Sequence, residues 1–196
     1  MTFDDFKGLI GLTFRNPQAA ARALIDGNWP VSARWMALIV AVALSVILSW
    51  LVALMFTGVG DQAAGALMAG SPLAMAGIQI AAITLAAALM AAVGQMFGGH
   101  GRFEDALLLA VWIEFLLLIV QAAQVALLLL LPAAGAVMGG LAIALFLWLM
   151  VQFTKELHGF QSSLKVLLGL IGTAFAVGFV LSFIAAAFGL LPEIAP

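Results

Sequence analysis

From residue 106 to residue 154 the chain reads ALLLAVWIEFLLLIVQAAQVALLLLLPAAGAVMGGLAIALFLWLMVQFT, bounded by Asp105 and Lys155. These 49 residues carry one charge, Glu114. A helix needs about 20 apolar residues to cross a hydrocarbon core of about 30 Å. The run is therefore too long for one crossing and long enough for two, and Pro132-Ala133-Ala134-Gly135 supplies the break. The pattern repeats outward. Charge-free gaps of 26, 40 and 27 residues separate Arg34 from Asp61, Asp61 from Arg102, and Lys165 from Glu193. The 40-residue gap contains the turn-like Gly70-Ser71-Pro72. Five spans follow, near 34–57, 72–98, 104–131, 135–155 and 164–190. A β-barrel would alternate over segments of about ten residues, which the Ala/Leu runs do not. The expected fold is an all-α membrane protein: a five-helix transmembrane bundle (34–196) preceded by an amphipathic cytoplasmic segment (1–33).

Composition agrees. Of 196 residues, 66% are hydrophobic and 8% charged, where a soluble domain carries about 25% charged residues. So few charges cannot cover a water-facing surface, which excludes a soluble enzyme, and the hydrophobicity excludes disorder. The chain has no cysteine, so disulfides, thiolate metal sites and Cys nucleophiles are excluded.

Cytoplasmic loops retain Lys and Arg. Lys7, Arg15, Arg22 and Arg34 precede span one, Arg102 lies between spans two and three, and Lys155 and Lys165 flank the turn between four and five. With five spans all 7 share one side; a missed helix would split them. The N-terminus is thus expected in the cytoplasm and the C-terminus in the periplasm. Span one begins too late for a signal peptide.

In the leading segment, Thr2 and Asp5 have capping-box spacing, and Phe3, Phe6, Ile10 and Phe14 recur at helical spacing. They suit a helix lying on the inner leaflet, contacting a cytoplasmic partner or packing beneath the bundle. A second short helix is predicted from Asn16-Pro17 to Gly27-Asn28, with Arg22 and Asp26 on its exposed face. Trp29 and Trp35 suit the headgroup level.

Glu114 is the one ionisable residue deep in a span, about 15 Å from the predicted helix start. A carboxylate there must be neutralised, face other helices or reach water. Gln121 and Gln124 fall with it in a sector of about 80° on span three. The stripe reads either as packing glue or as a proton- or substrate-linked path. Gln79, Gln95 and Gln152 are scattered and fit ordinary interhelical hydrogen bonding, with Gln95 and Gln152 at a similar level and able to face each other. Gly94-xxx-Gly98 and Gly135-xxx-Gly139 have close-packing spacing.

The loop Gly98-Gly99-His100-Gly101-Arg102-Phe103-Glu104-Asp105 ends one helix on glycines and opens the next on acids that complement its dipole. It lacks the Lys-Ser/Thr and the strand of a phosphate loop. In Lys155-Glu156-Leu157-His158-Gly159-Phe160-Gln161-Ser162-Ser163-Leu164-Lys165, Gly159 closes a helix and Ser162 caps the next. His100, Arg102, His158 and Lys165 are the candidate polar residues of these loops, although two histidines without carboxylates make a poor metal site. HExxH, paired-Glu and Gly-x-Ser-x-Gly signatures are absent. No catalytic residue, metal or cofactor is expected.

Asn16-Pro17-Gln18-Ala19-Ala20 before five spans, the turn Gly98–Asp105 running into Ala106-Leu107, and His158-Gly159-Phe160 through Lys165 resemble bacterial members of the Yip (Ypt-interacting protein) domain family. The resemblance implies a five-helix integral protein of a bacterial inner membrane. Eukaryotic relatives bind prenylated Rab-type GTPases and act in vesicle traffic. Their Asp-Leu-Tyr-Gly-Pro and Gly-Tyr motifs need tyrosine, and this chain contains none. GTPase binding is therefore not expected, and no functional residue is carried over. The resulting expectation is a non-enzymatic scaffold, membrane-organising factor or accessory subunit. It would work by lateral association in the lipid bilayer, as a homo-oligomer or within a larger complex, without nucleic acid. The alternatives are a small proton-linked transporter or channel using Glu114, Gln121 and Gln124, and a lipid-handling protein.

Overall fold

The computed structural model describes residues 3–56, 71–130 and 132–188, without the side chains of 3, 55, 56, 129, 130 and 132–136. Among the described residues there are seven helices and no strand. Two short ones, α1 (Phe3–Arg15) and α2 (Pro17–Asp26), precede five long ones. These are α3 (Val31–Phe56), α4 (Pro72–Met96), α5 (Phe103–Leu130), α6 (Pro132–His158) and α7 (Ser163–Ala187). All five are long and apolar enough to cross a membrane.

Local chemistry sets the boundaries. Asn16 caps α2, its Oδ1 accepting the Ala19 N–H at 3.1 Å, and Pro17 fits the first turn, where no N–H is needed. Asn28 ends that helix in the left-handed region at φ 48°. α3 starts at Val31, three residues before the predicted 34, because the Pro30 carbonyl already accepts from Ala33 and Arg34 at 2.9 and 3.2 Å. α4 stops at Met96, two short of the predicted 98, and Gly98 turns the chain at φ 84°. α6 outruns the predicted 135–155 at both ends. Pro132 suits its first turn, and Lys155 suits the negative end of its dipole. Ser162 caps α7, its Oγ accepting the Lys165 N–H at 3.3 Å. Thr2, Asp61, Glu193 and Gly70 of the expected Gly70-Ser71-Pro72 turn lie outside the described residues.

α5 is the hub, packed on α3, α4 and α6 and touched by α2. Its stretch Ala106–Ile113 is buried on every side, as expected of a helix apolar all round. α1 and α2 double back on each other, and α2 lies along α6. The core is continuous through both parts of the chain: Leu9, Ala20, Ala21 and Leu24 join Leu107, Ile113, Leu149 and Phe153 in one cluster. α7 leans mainly on α6, and only its Val166 is buried.

Candidate functional site

Three helices meet around Glu114. Gln79 on α4 donates its amide to the Glu114 carboxylate at 2.7 Å and lies 3.4 Å from Ser45 Oγ on α3. Ser45 donates to Gln121 Oε1 at 3.2 Å, and Gln121 returns its amide to Ser49 Oγ at 2.9 Å. Ser49 in turn donates to the Ser45 carbonyl at 2.9 Å. One chain of hydrogen bonds thus joins α3, α4 and α5. Water is scarce at this depth, so each bond replaces an unsatisfied polar group in hydrocarbon. Such bonds average about 0.6 kcal/mol each in membrane helices.

Gln124, predicted on the same stripe, faces elsewhere. A methyl group placed on Gly139 of α6 would meet its Nε2 at 3.7 Å, so its amide is turned toward α6. The 80° sector straddles two helix–helix seams, and only Glu114 and Gln121 share the first. The sequence missed Ser45 and Ser49. Their i, i+4 spacing in an apolar span was the available signal, since it puts both on one face.

A second cluster anchors α1. The Trp112 indole donates to Thr13 Oγ1 at 3.1 Å, and Thr13 donates to the Leu9 carbonyl at 2.8 Å. Phe6 stands edge-on to Trp112 and to Phe115, at ring separations of 5.5 and 4.9 Å. Trp112 and Phe115 lie about 14 and 18 Å along α5 from its start, at 1.5 Å per residue. Of the predicted stripe, Phe6 and Ile10 pack against the core, whereas Phe14 is 50% exposed. Phe3 opens the helix, and its side chain lies outside the described residues. Leu9 and Thr13 are the buried positions the apolar spacing did not reveal. A hydroxyl bonded within its own helix can stand in an inward face, so an aromatic stripe alone misplaces that face.

The third cluster brings the start of α3, the α4–α5 turn and the end of α6 to one end of the bundle. Arg34, its side chain 7% exposed, pairs with Asp105 at 2.8 Å and donates through Nε to the Trp29 carbonyl at 3.0 Å. Arg22 pairs with Glu156, Nε to Oε1 at 2.7 Å, and Gln18 donates to Gln152 at 3.0 Å. Gln95 donates to the Gly101 carbonyl at 2.7 Å. Gln95 and Gln152 therefore do not face each other, because nearer partners take both.

His158 is buried at 3% exposure. Its Nδ1 accepts the Gly101 N–H at 3.1 Å and its Nε2 lies 2.9 Å from the Met90 carbonyl. The tautomer protonated on Nε2 satisfies both. Phe160 stacks on the ring at 5.3 Å. Gly94, Gly99 and Gly101 crowd the imidazole so closely that a Cβ on any of them would run into it. Gly94 thus makes room for a histidine, and nothing lies within 4 Å of where a Gly98 Cβ would stand. Both ring nitrogens of His158 are taken, which leaves none for a site shared with His100, whose side chain is exposed. Arg102 pairs with Glu104 at 2.9 Å across the turn, and Lys165 is exposed on α7. No group of three or more His, Asp or Glu capable of holding a metal occurs among the described residues.

The Yip1 domain family model matches residues 11–186, most of the chain and all five long helices. The chain belongs to the Yip1 domain family. Neither a curated protein nor a solved structure matches it. Within this Yip1-family chain the match takes in Thr13, Trp112, the Glu114 network and the His158 cage, while Phe6 lies ahead of it.

Proposed function

We propose that this Yip1-family membrane protein acts without catalysis, by lateral association, as a scaffold or accessory subunit. It would sit in a bacterial inner membrane with its N-terminus in the cytoplasm and its C-terminus in the periplasm. The observation that carries the reading is the face of α7. Leu164, Leu168, Ile171, Phe175 and Phe179 fall within about 80° of one another around the helix, and they are 65, 60, 42, 76 and 75% exposed. Lipid tails are as apolar as leucine, so helices associate in membranes by close packing. Aromatic side chains are enriched at the centres of protein interfaces. The orientation rests on the gathering of Lys and Arg at one end of the bundle.

The test is extraction in a mild detergent, followed by size-exclusion chromatography and mass spectrometry. A stoichiometric partner or a homo-oligomer is expected, with assembly lost in Phe175→Ala/Phe179→Ala. A lone monomer in both detergent and nanodiscs would overturn the reading. The Glu114–Gln79–Ser45–Gln121–Ser49 chain favours a second reading, a proton-linked transporter. Unchanged flux in proteoliposomes carrying Glu114→Gln would exclude that reading.

A further inference from the structure

The side of α2 and the turn between α6 and α7 enclose a cleft of about 210 Å³. Gln18 and Arg22 line it from α2, Lys155 and Glu156 from α6, and Phe160 and Gln161 from the turn. The turn itself depends on Gly159, whose φ is 72°. Gly159 and Phe160 return their N–H groups to the carbonyls of Glu156 and Lys155 at 3.4 and 2.9 Å, so those helix-end acceptors do not point bare into the space. Glu156 is the one acid in the lining, and Arg22 engages its Oε1 through both Nε and Nη2. The Arg22 side chain is still 69% exposed, and a guanidinium with five N–H donors keeps some to offer. Lys155 adds an ammonium that makes no ion pair among the described residues. The lining therefore carries one net positive charge.

We infer that this cleft binds the phosphodiester headgroup of an anionic phospholipid. It opens beside the last turn of a membrane span, at the end of the bundle where Arg34, Arg102, Lys155 and Lys165 gather. Basic pockets at that level, on the side of a membrane protein that holds its Lys and Arg, suit anionic lipid headgroups. The volume lies below the about 300–1,000 Å³ typical of small-molecule pockets, which favours a headgroup over a whole amphiphile. One net positive charge matches the single negative charge of a phosphodiester better than the dianion of a free phosphate monoester. The ammonium of a zwitterionic headgroup would meet Lys155 and be repelled.

The experiment is native mass spectrometry of the delipidated full chain in detergent, titrated with phosphatidylglycerol or with phosphatidylcholine. Phosphatidylglycerol should be retained preferentially. A cation beside an anionic headgroup contributes about 1 kcal/mol, so Lys155→Gln should weaken phosphatidylglycerol binding about fivefold and Lys155→Arg should preserve it, whereas Arg102→Gln, outside the cleft and paired with Glu104, should change it less than about twofold. Gln161→Glu, at an exposed position in the turn, should abolish the preference. Equal retention of the two lipids would overturn the inference. So would equal losses in Lys155→Gln and Arg102→Gln, which would mean diffuse surface charge. Displacement by inorganic phosphate at the lipid's own concentration would assign the cleft to a soluble phosphate instead. These readouts are independent of oligomeric state, so they can fail while the scaffold reading stands.

Discussion

His158 and its glycines show how tightly single side chains are fitted at the basic end. A methyl group on Gly99 runs into the imidazole, and overpacking of this kind costs about 1–3 kcal/mol. Gly140, on α6, has nothing within 4 Å of its Cβ position, and alanine is preferred over glycine in a helix by up to about 1 kcal/mol. Gly99→Ala should lower, and Gly140→Ala should hold or raise, the melting temperature in detergent. Thr84 Oγ1 is a buried hydroxyl without a hydrogen-bond partner among the described residues. Replacing such a group by an apolar one of the same shape is nearly neutral or stabilising. Thr84→Val should therefore melt no lower than the parent, and a loss above about 1 kcal/mol would mean that the hydroxyl has a role in packing.

Among the elements, α1 and α7 are held in opposite ways. α1 is short and carries two glycines, Gly8 and Gly11, yet Trp112, Phe115 and Thr13 tie it to the hub helix. Thr13→Val removes the acceptor of the Trp112 N–H and should cost about 1 kcal/mol. Phe6→Ala removes two edge-on aromatic contacts, about 0.5–1.5 kcal/mol each beyond the area buried. Both should speed hydrogen exchange in α1 while leaving α5 protected. If α1 exchanges no faster in Phe6→Ala, the aromatic trio is not what holds it. α7, by contrast, buries only Val166. Ending the chain after Phe160 should leave the melting of α3–α6 close to that of the parent.

The whole molecule is pinned from two sides: by the Arg34–Asp105 pair at the basic end and by the Glu114 network in mid-span. Removing one partner of a buried pair leaves a charge without compensation, at about 3 kcal/mol or more. Asp105→Asn should therefore be among the most destabilising polar substitutions in a thermal scan. In the network, Glu114→Gln keeps an acceptor for Gln79, whereas Glu114→Leu leaves that amide only its longer 3.4 Å contact with Ser45. The glutamine variant should stay near the parent and the leucine variant lose about 0.6–1.5 kcal/mol. Because the chain has no cysteine, its topology can be read with single introduced thiols. Those at His100 and Gln161 should label from one side of the membrane and one at Asp61 from the other. Labelling of all three from the same side would contradict the five-span arrangement.

The number of crossings and the grouping of Lys and Arg were legible in the sequence, because the bilayer fixes the length of an apolar run and excludes charge from its middle. Even there the helix ends shifted by up to three residues, at Pro30–Val31, at Pro132 and at Lys155–His158. Proline geometry and long charged side chains let a helix run past the last apolar residue. Which face each helix turns inward was not legible. Lipid and protein core are equally apolar, so α5 shows no stripe that separates Gln121, joined to α3, from Gln124, turned to α6. Nor could charge spacing alone pair Arg34 with Asp105, or show that Gly94, Gly99 and Gly101 leave room for a histidine some sixty residues away. Apolar length and charge position are properties of the chain itself. The rotation of each helix about its axis is set by how bulky and small side chains fit across the seams, and that fit exists only once all the helices are together.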